Sequence, residues 1–330
     1  MSTGTAAFIA VILSLLVSYL LTPVARKFAM RYGVVAKPGG RRTHKRPTPL
    51  LGGAAMYMAF AVTLIVALAL DKKLFFDRTA GGVLVSASFV AIVGMLDDRY
   101  ELPGWVQALT IVIAGCILYM FGVTVNSITY PFRGGGHIIP LGYLGIPFTV
   151  IWILMVTKAV DCMDGVDGLA AGISLIISLT LLLMALAATP KSPEMLNSVK
   201  LAAIMSASLV GACLGFLRFN YTPAKIFMGT VGAQFLGFML AAISLVGAFK
   251  ITTLVAIGAP IIALGVPLGD TALVVIRRLA SGKKISEADR THLHHRLMDK
   301  GYSTQQVVWT VYGLTALLCA LAYLLFVTVK

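Results

Sequence analysis

Residues Leu169 to Ala188 read LAAGISLIISLTLLLMALAA, an unbroken run without a charge. A helix needs roughly 20 apolar residues to cross the hydrocarbon core of a bilayer, and this run is that long. The stretch before it, Lys158 to Gly168 (KAVDCMDGVDG), holds Asp161, Asp164 and Asp167. An apolar span thus begins directly after an acidic turn.

Phe8 to Val24 and Val307 to Val329 are further uncharged runs. The chain is 58% hydrophobic and 12% charged, against about 45–50% apolar and about 25% charged in an ordinary soluble domain. A soluble protein of 330 residues has no interior able to hide so much apolar surface, so its solvent is lipid. Ten candidate spans follow, near 6–24, 50–70, 81–96, 106–123, 147–160, 169–188, 200–217, 233–249, 251–276 and 307–329. They predict an all-α membrane protein of about ten transmembrane helices, with residues 1–330 forming one polytopic domain. The Phe8 run reads as the first span and not as a cleaved leader, because no basic region precedes it and more spans come after it.

Basic residues give the orientation. The loop after the first span holds Arg26, Lys27, Arg31, Lys37, Arg41, Arg42, Lys45 and Arg46, and the loop before the last holds Arg277, Arg278, Lys283, Lys284, Arg290, Arg296 and Lys300. With ten spans, both loops fall on one side, together with Arg99, Lys158, Arg218 and Lys225. The positive-inside tendency makes that side cytoplasmic and places both termini outside. This also accounts for the net charge of +14, since such loops meet anionic head groups. No basic stripe with interleaved aromatics points to nucleic acid. On the other side, residues 124–146 carry Arg133 as their single charge, then Gly134-Gly135-Gly136 among alternating apolar residues. A short outer-face β-hairpin is predicted there, with His137 a structural residue. Cys116, Cys213 and Cys319 lie in apolar runs without metal or disulfide spacing. Cys162 has acidic neighbours, which disfavour a thiolate.

Acidic residues number 13, and most gather at cytoplasmic span ends. Asp97 and Asp98 close the third span in Gly94-Met95-Leu96-Asp97-Asp98-Arg99. Adjacent carboxylates at a membrane boundary are costly unless a cation or partner compensates them. Asp161, Asp164 and Asp167 would share one face of a helix, but Gly165 and Gly168 suggest a turn whose backbone can approach a ligand. Oxygen donors with no His or Cys nearby suit Mg²⁺ or Mn²⁺; solvated loop residues or helix caps are the other reading. Asp289-Arg290-Thr291-His292-Leu293-His294-His295-Arg296-Leu297 offers three imidazoles and two guanidinium groups. Zinc ligation lacks an acidic or Cys partner nearby, and a grip on phosphate oxygens fits better; a solvated amphipathic helix is the alternative. Gly39 to Pro49 is basic and Pro-rich, ending at Leu51-Gly52-Gly53. Phe227-Met228-Gly229-Thr230-Val231-Gly232 is a turn whose amides could face a phosphate. Asp270 is either a functional intramembrane acid or the partner of Arg277 or Arg278.

In this order the pieces resemble the polyprenyl-phosphate N-acetylhexosamine-1-phosphate transferase family over nearly the whole chain. The residues carrying the resemblance are Arg42 and His44 with Pro47, Pro49, Gly52 and Gly53; Gly94 to Asp98; Asp164-Gly165-Val166-Asp167-Gly168-Leu169; Phe227-Met228-Gly229; Pro267 with Asp270; and His292 to Leu297. The interrupted His-Leu-His-His looks like the WecA/TagO branch, which uses undecaprenyl phosphate and GlcNAc-1-phosphate, and less like the MraY branch with three consecutive histidines.

The resemblance implies a ten-span fold, often a homodimer, in the bacterial inner membrane, with a cleft open to the cytoplasm. It implies transfer of an N-acetylhexosamine 1-phosphate from a UDP-N-acetylhexosamine to undecaprenyl phosphate with Mg²⁺ and release of UMP, the first membrane step of a cell-envelope glycan such as lipopolysaccharide or teichoic acid. Asp97 and Asp98 would deprotonate or position the lipid phosphate. Asp164 and Asp167 would organise cation and nucleotide, with Asp98, Asp161, Asp164 and Thr230 around the metal. Arg42, His44, Lys45, Lys158, His292, His294, His295 and Arg296 would hold substrate.

Some positions depart from the family. It usually has Asn where this chain has Lys158 and Asp161, and basic residues where this chain has Trp105 and Gln107. Lys37 stands where the basic loop usually opens with Asp. Thr230 replaces the Asp that is the family's direct magnesium ligand. A hydroxyl is a far weaker ligand than a carboxylate; Asp161 gains the charge that Thr230 loses, or Lys158 neutralises it. A relative that binds lipid phosphate or nucleotide without turnover is the alternative, favoured by Thr230 and opposed by the retained Asp97, Asp98, Asp164 and histidines. A transporter would need charge along an intramembrane pathway and repeat symmetry; here the charges sit at one face and repeat symmetry is absent.

Overall fold

A computed structural model describes residues 1–36, 47–71, 74, 77–124, 127–130, 137–248, 254–282 and 291–328. Its helices are α1 (Thr3–Arg31), α2 (Gly52–Leu70), α3 (Arg78–Tyr100), α4 (Gly104–Met120), α5 (Gly145–Cys162), α6 (Leu169–Ala187), α7 (Pro193–Asn220), α8 (Gly229–Ala248), α9 (Leu254–Ala263), α10 (Gly265–Ala280), α11 (Leu293–Asp299) and α12 (Thr304–Thr328). Among the described residues, eight helices are at least 18 residues long and apolar enough to cross a membrane, and α4 is a shorter apolar helix. The molecule is a nearly all-helical, multi-pass membrane protein. The described part of each of the first eight predicted spans, and of the last, falls on one helix to within three residues at its ends.

The ninth span departs from expectation. Residues 251–276 were predicted as one helix; the described part is α9 followed by α10. Pro267 explains the break. It has no N–H to give the carbonyl of Ala263, and Cys319 Sγ fills that place at 3.7 Å.

Helix α8 is the centre of the bundle, almost wholly buried, and packs on α2, α3, α5, α6 and α7. Its contacts are backbone-close. A Cβ at Gly53 would strike the backbone of Gly232, one at Gly94 the backbone of Val231, and one at Gly237 the backbone of Thr157. Helix α1 lies along α7, where Ser14 and Ser18 donate to the carbonyls of Ser208 at 2.6 Å and Ala212 at 2.8 Å. These hydroxyls find main-chain acceptors inside the bundle, as buried polar groups must. Helices α1 and α12 keep broad apolar faces outward, as lipid-facing helices do.

The predicted hairpin is present. Strands β3 (Ser127–Tyr130) and β4 (His137–Pro140) pair antiparallel, with Ser127 opposite Pro140 and Tyr130 opposite His137. A smaller pair, β1 (Val35–Ala36) and β2 (Thr48–Pro49), brackets the basic segment. Just beyond it, the amides of Gly52 and Gly53 donate to the carbonyls of Phe227 (3.0 Å) and Met228 (2.9 Å), and Phe227 N donates to Pro49 O at 2.9 Å. The two glycine-bearing motifs of the sequence are therefore one hydrogen-bonded unit, which sets the start of α8.

Candidate active site

At one end of the bundle the ends of α3, α5, α7 and α8 surround a cavity of about 560 Å³. Asp97, Asp98, Asp161, Asp164, Asp167, Thr230 and His295 all line it, so motifs more than a hundred residues apart in sequence meet in one place.

Asp98 is held by α8. The amide of Thr230 donates to Oδ1 at 2.7 Å and that of Val231 to Oδ2 at 3.4 Å. The first turn of a helix has N–H groups with no partner inside the helix, and a carboxylate there is favoured by the helix dipole. Here the cap comes from another helix. The sequence suggested that these amides face a phosphate; they face Asp98, because Gly229 leaves the space its carboxylate fills.

Asp97, 6% exposed, accepts from Gln107 Nε2 at 3.0 Å. Gln107 Oε1 accepts from Lys158 Nζ at 2.7 Å and Gln234 Nε2 at 3.1 Å. Lys158 also pairs with Asp161 Oδ2 at 2.8 Å. Two of the residues that departed from the family pattern, Lys158 and Asp161, are thus an ion pair, and a third, Gln107, links them to Asp97. Trp105, another of these departures, is 68% exposed and outside the cavity lining.

Asp164 and Asp167 sit in the turn between α5 and α6, as the glycines suggested. Gly168 takes φ +77°, its amide donating to Asn220 Oδ1 at 3.0 Å and its carbonyl accepting from Tyr312 OH at 2.6 Å. Asp167 Oδ2 accepts from the amide of Ala224 at 2.9 Å, which commits one oxygen to holding the next loop. Burial, then the charges of Asp161, Asp98 and Asp167, raise the Asp164 carboxyl well above the ordinary carboxylate range. That crowding is the excess of negative charge a divalent cation would relieve, and the donors (Asp98, Asp161, Asp164 and Thr230) are all oxygen. The set fits Mg²⁺ or Mn²⁺ in chemistry. Among the described residues, no three His, Cys, Asp or Glu side chains yet converge to coordination geometry, so any cation would have to draw the carboxylates in.

The histidines divide. His295 lines the cavity. His294 is buried, its Nδ1 without a hydrogen-bond partner among the described residues, and its ring lies against Gly165; burial, then His295 and His292, lower it to about 4. His292 Nδ1 is 2.7 Å from Asp270 Oδ2, and the amide of Leu293 donates to Asp270 Oδ1 at 2.7 Å. Asp270 was expected to be a functional acid or to pair with Arg277 or Arg278. The arginine pairing is not the one formed: Asp270 caps α11, because those arginines lie about two turns further along the same helix while the chain returns His292 to it. The bond to Asp270, helped by one to Cys162, raises His292 to about 10. Arg296 is exposed and lies outside the cavity lining. Arg42, His44 and Lys45 lie outside the described residues.

Sequence reasoning missed Gln234, Asn220 and Tyr312. Gln234 had a signal, an amide in an otherwise apolar span, where polar side chains are expensive without partners. Asn220 and Tyr312 act on main-chain atoms distant in sequence, and no local pattern marks them.

Residues 80–248 match the family described as Glycosyl transferase family 4. A protein of Bacillus subtilis (strain 168) named "Probable undecaprenyl-phosphate N-acetylglucosaminyl 1-phosphate transferase" is 36% identical over 92% of this chain and 80% of its own length. A "Decaprenyl-phosphate N-acetylglucosaminephosphotransferase" of Mycolicibacterium smegmatis is 32% identical over 90% of this chain and 76% of its own length. A "Phospho-N-acetylmuramoyl-pentapeptide-transferase" of Acetivibrio thermocellus is 30% identical over 94% of this chain and 93% of its own length.

Proposed function

Since the chain belongs to glycosyl transferase family 4, we propose that it transfers an N-acetylhexosamine 1-phosphate, GlcNAc-1-phosphate above all, from a UDP-sugar to undecaprenyl phosphate and releases UMP. The observation that carries this reading is the convergence of Asp97, Asp98, Asp161, Asp164 and His295 on one cavity at one end of the bundle. The Bacillus subtilis relative's name supplies the acceptor and the sugar phosphate.

In this reading the lipid phosphate attacks the sugar-linked phosphorus in line; a bond forms from the lipid phosphate oxygen to that phosphorus, and the bond to UMP breaks. Asp97 takes or orients the proton of the lipid phosphate. Asp98, fixed by the α8 amides, and Asp164 with Asp161 and Thr230 would hold the cation, while Asp167 and the histidine segment position the nucleotide and diphosphate. Magnesium, when bound, offsets charge on the diphosphate.

The arrangement in the membrane is proposed with it. Ten crossings, counting α4 and taking α9 with α10 as one, leave both termini outside and the cavity open to the cytoplasm of a bacterial inner membrane, the whole chain serving as one domain. Arg26, Lys27 and Arg31 lie toward the C-terminal end of α1, Arg99 and Arg218 at those of α3 and α7, and Lys225 in the loop before α8, which supports this orientation. A homodimer is the assembly the family resemblance implies.

The test is UMP release by purified protein in detergent, with UDP-GlcNAc and undecaprenyl phosphate, with and without Mg²⁺. Release that needs both lipid and metal supports the transferase. Nucleotide binding without release would replace it with a binding relative. Reporter fusions at each terminus test the topology, and a cytoplasmic signal from either would overturn it.

A further inference from the structure

We propose that Gln107 is a positioning residue that joins the ammonium of Lys158 to the carboxylate of Asp97, so that the site draws its cation from α5 through an amide on α4. The assignment rests on the transferase reading for the role of Asp97, but the pairing itself rests on geometry alone.

Polarity leaves the amide one orientation. An ammonium only donates, and an ionised carboxylate only accepts. Gln107 meets Lys158 Nζ at 2.7 Å on its oxygen and Asp97 Oδ1 at 3.0 Å on its nitrogen. Turning the amide over would set –NH₂ against –NH₃⁺ and C=O against –COO⁻. Gln234, 1% exposed, is compatible with the same orientation, donating its Nε2 to Gln107 Oε1 at 3.1 Å. No single-polarity side chain satisfies both ends, so glutamate at 107 would leave the Asp97 end unpaired and leucine would leave both. Lys158 has three N–H bonds and spends two, on Gln107 and Asp161. Among the described residues the third is unspent, and the side chain is 29% exposed; Gln107 and Asp161 line the cavity and Lys158 stands directly behind them in the hydrogen-bond chain.

Because the ammonium and the amide touch, exchanging them should preserve the network. Lysine at 107 would donate to Asp97 directly and to the amide oxygen of glutamine at 158. That glutamine would donate to Asp161, and Gln234 would turn its oxygen toward the new cation. Charge and hydrogen bonds would again balance, with the cation carried one residue nearer Asp97.

Five proteins test this: the parent, Gln107→Leu, Gln107→Lys, Lys158→Gln, and the exchange Gln107→Lys with Lys158→Gln, the last three forming a cycle with the parent. Each single change should lower kcat for UMP release by about ten- to a hundredfold, the size of a lost hydrogen bond to a charged group, with KM for UDP-GlcNAc little moved. The exchange should recover at least about tenfold over the poorer single variant. Losses that simply multiply in the exchange overturn the proposal. Gln107→Glu covers the case where Gln107→Leu does not purify folded; it keeps the shape and sets a carboxylate against Asp97, and parental turnover in it would also overturn the pairing. If the parent itself releases no UMP, the transferase reading fails. The pairing is then decided by thermal midpoints of the same proteins in detergent, where the exchange should lie nearer the parent than either single variant, and additive losses refute it.

Discussion

Asp98 occupies the space that a side chain at Gly229 would need. Gly229 takes φ +70°, a Cβ there would run into the Asp98 carboxylate, and the next two amides close on that carboxylate. One glycine therefore lets a carboxylate on α3 cap α8, and the cap lines the cavity.

Gly229→Ala should consequently weaken both stability and turnover. The left-handed backbone alone costs about 1–2 kcal/mol for a residue with a Cβ, and the methyl also displaces Asp98. A thermal midpoint in detergent equal to the parent's would show that the carboxylate is not held there.

Asp97→Asn should abolish UMP release and leave folding intact. The amide oxygen of asparagine can still accept from Gln107, so the network survives while the charge and the proton acceptor are lost. Parental rates in the purified variant would remove Asp97 from the mechanism.

Thr230→Asp should raise UMP release or lower the Mg²⁺ concentration that half-saturates it. The new carboxylate would stand in the first turn of α8, where the helix dipole favours it, and on the cavity wall. Unchanged activity and unchanged metal dependence would mean that Asp161 already serves in its place.

The His292–Asp270 bond gives a pH signature. His292 is raised from 6.5 to about 10, first by Asp270 and next by Cys162, with His294 stacked beside it. A base raised on folding contributes stability that is full below its unfolded value and is lost as pH rises through its folded one. The thermal midpoint should therefore decline between about pH 6.5 and about pH 10, and Asp270→Asn should flatten that decline. A parent profile that is already flat across this window would show that His292 is not held protonated.

The span pattern was legible because lipid demands long apolar runs, and such runs need no tertiary information to be seen. The acid clusters were legible for a related reason: carboxylates are rare in this chain, so their positions stand out. Two kinds of feature were not. Pro267 marked a helix break only once the carbonyl of Ala263 was known to have Cys319 as a substitute donor. Asp270 and its true partners, His292 and Leu293, are some twenty residues apart, whereas its apparent partners Arg277 and Arg278 were close in sequence. Gln107 was visible as a missing base, and the structure gives the reason: the cation beside it is Lys158. In each case the deciding contact crosses between elements, where hydropathy and spacing carry no record.

The glycine seams of α8 have an evolutionary consequence. With Gly53, Gly94 and Gly237 pressed against backbone, a single added methyl at any of them forces two helices apart. Descendants of this chain can thus drift freely on the lipid-facing sides of α1 and α12 but scarcely at all along α8. Change that leaves the bundle closed is left to surfaces hung outside that frame, such as the exposed side of α11.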